Sequence, residues 1–201
     1  MLILVHNSPT ALESYRHPNL GVLSSPRRFY KKDEGIESWP WAADNDAFSA
    51  WNEGRFRKML DGIRELQGCL FVTAPDVVGD SLRTTYQFYQ WRAEMDGLPV
   101  AYVSQDGLID ENIPWNEIDA FFVGGSTEWK MSEKAAQQVR EAKQRGKWVH
   151  MGRVNSQQRL KYAKSLGCDS IDGTSLSWWK DVYIKKFVDH AAAPTQMMLG
   201  D

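Results

Sequence analysis

The chain is poor in cysteine, and it lacks any long apolar run and any strong imbalance of charge. Among 201 residues there are only two cysteines, Cys69 and Cys168. Each opens an apolar run, so buried free thiols in a reducing compartment fit better than a disulfide. Two cysteines without neighbouring partners also exclude cysteine-rich zinc spacing. The opening Met-Leu-Ile-Leu-Val-His is too short and uncharged for a signal sequence, and no run approaches transmembrane length. These absences point to a cytoplasmic protein with no membrane attachment. The net charge of −2 provides no overall basic field, so any nucleic-acid surface must be a local patch. Dinucleotide and phosphate-loop glycine fingerprints are missing. The composition, 42% hydrophobic and 25% charged, is that of an ordinary globular domain with a proper core. Nine tryptophans stand out, since exposed ones can stack on a base or sugar.

What is present is an alternation. Short apolar runs occur at Leu2 to His6, Gly21 to Ser24, Trp41 to Phe48, Leu70 to Ala74, Val100 to Ser104, Ala120 to Val123, Trp148 to Gly152 and Cys168 to Gly173. Helical patterns fill Ser49 to Gln67, Asp80 to Asp96, Ser132 to Arg145 and Asn155 to Leu166, the last opened by an Asn155–Gln158 capping box. Each is closed by a glycine, at 68, 97, 146 and 167, with a strand close behind. Gly107 and Pro114 break the stretch from Asp106 to Asp119. A last helix is expected over Leu176 to Ala192. Strands and helices in this order predict an α/β fold, a compact single-domain (β/α)8 barrel over residues 1–193 with a flexible tail at 194–201. A doubly wound open sheet is the rival.

Barrel chemistry sits at the C-terminal ends of strands. Those ends read His6-Asn7, Asp44-Asn45-Asp46, Pro75-Asp76, Ser104-Gln105-Asp106, Gly124-Gly125, His150-Met151-Gly152-Arg153 and Asp172-Gly173. Asp169 and Asp172 fall on opposite faces of an extended strand, so one is structural while the other meets the mouth. Asp172 is expected to be the reactive one. Paired carboxylates suit acid/base work on a sugar, and equally a divalent metal. Gly124 and Gly125 let backbone approach a planar ligand. Alternation with Met151 is expected to turn His150 into the barrel shell.

In this order the motifs resemble the tRNA-guanine transglycosylase superfamily, and within it the small phage enzymes of the DpdA type. The likeness runs from about residue 41 to 180. The family's Thr-Asp-Ser-Gly-Gly-Phe-Gln is matched by Ala43-Asp44-Asn45-Asp46-Ala47-Phe48-Ser49, its Val-Gln-Gly by Val103-Ser104-Gln105-Asp106-Gly107, and its Val-Gly-Gly by Val123-Gly124-Gly125. Its Tyr-Met-Gly-Val-Gly is matched by His150-Met151-Gly152-Arg153-Val154 and its Gly-Val-Asp-Met-Phe-Asp by Gly167-Cys168-Asp169-Ser170-Ile171-Asp172.

The resemblance implies exchange of guanine in a nucleic acid for a 7-deazaguanine such as preQ0, through a covalent glycosyl-aspartate. It makes Asp172 the nucleophile and Asp44 the proton-handling acid, with Asp46 the alternative. Asp76 and Gln105 would read the purine edge, Gly124 and Gly125 would lend backbone, and Met151 would cover the ring. Phosphates would meet Arg27, Arg28, Lys31, Lys32, Lys130, Arg153 and Lys180, with Trp129, Trp178 and Trp179 stacking or wedging. The family's zinc-binding cysteines and histidine are missing here, so no metal and no cofactor is expected. Thr174-Ser-Leu-Ser-Trp-Trp replaces the family's Pro-Thr-Arg, and the tRNA-gripping insertions are absent, which favours DNA over tRNA. A homodimer or a partner protein would help so small a barrel grip nucleic acid. Two other functions fit the residues: a metal-dependent barrel hydrolase or isomerase, and an inactive barrel that only binds nucleic acid.

Overall fold

The computed structural model describes residues 1–6, 17–29 and 36–173, together with Ala192. Eight strands close into a parallel barrel in sequence order. They are β1 (Leu2–His6), β2 (Leu20–Ser24), β3 (Trp41–Ala43), β4 (Cys69–Thr73), β5 (Val100–Ser104), β6 (Ala120–Val123), β7 (Trp148–Met151) and β8 (Ser170–Asp172). The expected (β/α)8 architecture is present, and the open-sheet rival is excluded because β1 pairs with β8, Ile3 beside Ile171. Between the strands lie α1 (Ala47–Ala50), α2 (Glu53–Ile63), α3 (Ser81–Trp91), α4 (Thr127–Lys130), α5 (Glu133–Gln144) and α6 (Gln157–Ser165). The helix expected over Leu176 to Ala192, the tail, and Asn7, Lys31, Lys32, Trp178, Trp179 and Lys180 lie outside the described residues, Ala192 excepted.

Gly68, Gly97, Gly146 and Gly167 all take positive φ, 70–79°, a conformation that costs glycine nothing. Gly146 and Gly167 close α5 and α6, whereas α2 stops at Ile63 and α3 at Trp91, short of Gly68 and Gly97. Other boundaries also differ from expectation. The helix expected from Ser49 is two pieces, because Trp51 leaves helical geometry and Asn52 recaps the chain by accepting from the Arg55 N–H at 2.9 Å. α6 is capped by Ser156, one residue later than Asn155, its hydroxyl accepting from the Arg159 N–H. The third strand stops at Ala43, before its acids.

Alternation along each strand builds two cores. Ile3, Val22, Val72, Tyr102, Val149 and Ile171 face outward onto helix residues such as Phe56, Met59, Val139 and Leu160. Leu4, Leu23, Ala42, Phe71, Ala101 and Ala120 fill the interior, with Phe122 and Trp148 against them. The register slips between β3 and β4, where Trp41 pairs with Cys69 but Ala43 with Val72. Leu70 and Phe71 consequently both reach the interior.

The base of the barrel is braced by Asp169, just before β8. Its carboxylate accepts two hydrogen bonds from Lys143 Nζ, at 2.7 and 2.6 Å, and one from the Val149 N–H at 2.7 Å. The structural role expected for Asp169 is therefore met. Asp169→Ala strands an ammonium and a backbone donor together, and should cost about 3 kcal/mol, read as a lower urea midpoint. Cys69 and Cys168 are free thiols. Burial pushes both up to about 12, leaving them unreactive at neutral pH.

Candidate active site at the barrel mouth

The inward faces of β3 to β8, taken at the last residue of the strand or one residue past it, make the floor and walls of one pocket. Asp44 follows Ala42 on β3, Thr73 follows Phe71 on β4, and Gln105 follows Val103 on β5. Gly124, Gly152 and Asp172 continue β6, β7 and β8 in the same way. Asn45, Phe48, Asp76, Val78, Gly125 and Arg153 complete the lining from the loops. The sequence reading's two acids, Asp44 and Asp172, thus face one cavity from well-separated strands.

Their environments pull them apart. Burial raises Asp44 first, and the Asp172 charge adds to it, carrying the Asp44 carboxyl to about 7. Burial also pushes Asp172 upward, but the hydrogen bond from His150 and the Arg153 N–H outweigh it and hold the carboxyl below its usual range. Both of those hydrogen bonds land on Oδ1: Arg153 N–H at 2.7 Å and His150 Nε2 at 3.3 Å. Among the described residues Oδ2 takes none. Near neutral pH one acid is an anion and the other retains much of its proton, an arrangement suited to a nucleophile beside a proton donor.

Asp76 is held on both oxygens. Asn45 Nδ2 donates to Oδ1 at 2.7 Å and Gln105 Nε2 to Oδ2 at 2.6 Å. Burial nevertheless raises its pKa. Gln105 fixes that acid as well: one of its two amide N–H groups donates to Asp76 and its oxygen accepts from the Gly79 N–H at 2.9 Å, while the residue also lines the pocket. Asn45, unassigned in the sequence reading, does similar work: it also donates to the Ala74 carbonyl and accepts from the Ala47 N–H.

Two expectations fail on strand parity. Met151 is 1% exposed in the outer core, so it cannot cover a bound ring. His150 points inward, the reverse of what alternation suggested. Its ring centroid lies 5.1 Å from that of Phe71, across the barrel on β4, and 4.5 Å from that of Phe122 on the neighbouring β6. Asp46 is not the pocket acid either. Its carboxylate accepts from the Arg27 N–H at 2.9 Å, and its backbone sits at φ 61°.

The basic residues divide. Arg27 and Arg28 are exposed in the turn after β2, on the mouth side, with Arg27 also donating to Ser49 Oγ at 2.6 Å. Arg153 overhangs the pocket: its guanidinium donates to the Gly125 carbonyl at 2.7 Å and stacks 4.0 Å from the ring centre of Phe48, which is 65% exposed. Lys130 is not a surface phosphate contact. It is 3% exposed and its Nζ donates to the Gly152 carbonyl at 2.9 Å. Burial and Arg153 bring its ammonium down to about 8. Trp129 is likewise structural, its indole N–H donating to Ser104 Oγ at 2.8 Å. Among the described residues no group of three or more His, Cys, Asp or Glu is placed to hold a metal ion.

Gly124 keeps the slot open. A Cβ there would lie 2.7 Å from Val103 Cγ1 and 2.8 Å from the Ser104 carbonyl oxygen, which cannot retreat. It would also lie 3.1 Å from the Gln105 nitrogen that holds Asp76. Gly124→Ala should cost about 1–3 kcal/mol by overpacking, measured by urea unfolding, and narrow the pocket.

No family model and no curated protein matches this chain. Among solved structures it is similar to a chain of the Amycolatopsis orientalis BexX/CysO complex, at 14% identity and a TM-score of 0.52, over 94% of this chain and 77% of that one. It is also similar to 3-hexulose-6-phosphate synthase of Salmonella typhimurium, at 15% identity and a TM-score of 0.50, over 94% of this chain and 98% of that one. What these likenesses share with this chain is the eight-stranded barrel fold.

Proposed function

We propose that this barrel exchanges a guanine base in nucleic acid, DNA ahead of tRNA, for a 7-deazaguanine such as preQ0. The observation that carries the reading is the pair of carboxyls with divided protonation, Asp172 as anion and Asp44 near 7, across one slot. The motif resemblance supplies the reaction. Asp172 Oδ2 attacks C1′ of the target nucleotide. The C1′–N9 bond breaks, its electron pair stays with the departing guanine, and Asp44 gives that base a proton. A glycosyl ester on Asp172 results. The incoming 7-deazaguanine then loses a proton to Asp44 and attacks C1′, expelling Asp172 and restoring the original anomer. Asp76, fixed by Asn45 and Gln105, meets the purine edge, and Gly124 lets the ring lie against backbone. A base in a duplex must first be extruded, and the rim residues Arg153, Arg27 and Arg28 would meet its phosphates.

The test uses radiolabelled guanine with the full chain and either duplex DNA or tRNA. Label entering DNA supports the reading as stated. Label entering tRNA alone reassigns the substrate, and label entering neither polymer refutes base exchange.

A further inference from the structure

The interior below Asp172 holds a line of polar groups that the exchange reaction does not itself use. The Trp148 indole N–H lies 2.9 Å from Ser170 Oγ. Ser170 Oγ lies 2.8 Å from His150 Nδ1, and His150 Nε2 lies 3.3 Å from Asp172 Oδ1. Ser170 and His150 are both 0% exposed, and the imidazole is packed among Phe71 and Phe122.

The donor inventory fixes the first direction: an indole nitrogen only donates, so Ser170 Oγ accepts from Trp148. The serine hydroxyl has one proton, and among the described residues the acceptor within reach of it is His150 Nδ1. With Nδ1 accepting, the proton of a neutral imidazole resides on Nε2, where it points at Asp172. From these distances we infer that His150 is a positioning residue, locked as the Nε2–H tautomer by Trp148 and Ser170, that holds and aims the Asp172 carboxylate.

The geometry has a chemical consequence. His150 and the Arg153 N–H converge on Oδ1, so the carboxylate cannot rotate about its last bond without losing two donors. Oδ2 is then held in one direction. The hydrogen-bond line comes entirely from β7 and β8, adjacent strands whose pairing places His150 beside Ser170. The tautomer assignment stands on these distances alone. Its effect on rate rests on the reading of Asp172 as nucleophile.

The experiment therefore has two parts. The first needs no substrate: nitrogen NMR of the full chain labelled at histidine, with the His150 signals identified by their loss in His150→Gln. Four histidines make the spectrum tractable. The expected result at neutral pH is a bare Nδ1 and a protonated, exchange-protected Nε2. A proton on Nδ1, whether alone or with one on Nε2, overturns the inference.

The second part measures base exchange. His150→Gln keeps an N–H donor near the Nε2 position and should lose about tenfold in kcat. His150→Leu keeps none and should lose about a hundredfold or more, with KM for nucleic acid unchanged in both. Equal losses in the two variants, or a loss confined to KM, overturn the positioning role. A wild-type chain that exchanges no base would defeat the proposed function while leaving the tautomer result intact.

Discussion

Under the proposed reaction, Asp172→Asn should lose base exchange by about 10⁴-fold or more and accumulate no covalent protein–nucleic acid adduct. The magnitude follows from what the substitution removes. An amide is nearly the shape of the carboxylate, and its oxygen can still accept from the Arg153 N–H at the Oδ1 position. It carries no anion to attack C1′, so the ester cannot form and the two-step route is closed. The fold should survive, which urea unfolding of the variant verifies. The adduct is read on a denaturing gel with end-labelled DNA, and exchange by uptake of labelled guanine. Exchange at the wild-type rate in this variant would remove Asp172 from the chemistry and the proposed reaction with it.

Asp44→Asn should have two effects of opposite sign, one on rate and one on stability. The rate effect is a loss of about 10²–10⁴-fold, because the amide has no proton to give the departing base. In the wild type kcat/KM should fall as pH rises through about 7, where Asp44 loses its proton, and this alkaline limb should be missing from the residual activity of the variant.

The stability effect runs through linkage. The folded chain binds this proton more tightly than the unfolded chain, whose value is 3.8. Below that value both states are protonated and the buried acid costs nothing extra. The cost grows as pH rises from there and is complete above about 7, where it is of order 2–4 kcal/mol. Asp44→Asn should therefore be more stable than wild type at pH 8 and nearly equal to it at pH 4. Urea midpoints at the two pH values check the sign. A variant less stable at pH 8 would show that the carboxyl is not strained by its surroundings.

The features legible in the sequence were those with a local signature. A left-handed glycine between a helical pattern and an apolar run marks the turn from helix to strand, so Gly68, Gly97, Gly146 and Gly167 announced the four strands after them. Acids at strand ends marked the mouth, and Asp44, Asp76 and Asp172 do converge there. What was not legible was parity. A barrel strand is buried on both faces, so Trp148-Val149-His150-Met151 has no polar side to say which residues point inward. Closure of the sheet decides it, and it decides for His150. The same holds for Lys130: a lysine in a short helix reads as a solvated cation until the Gly152 carbonyl is found within reach of its ammonium. Gln105 and Asn45 were equally hidden. Asn45 and Gln105 lie 31 and 29 residues from Asp76, and nothing local in either motif says that both will grip the same carboxylate.

The pairing of the first strand with the last has a further consequence. An open sheet offers a row of unpaired amides and carbonyls that another chain can extend, and a ring offers none. A second copy or a helper protein therefore cannot join the described barrel by adding a strand to it. It has to be gripped by side chains on the helices and loops, where Leu82, Tyr86 and Tyr89 stand exposed along α3.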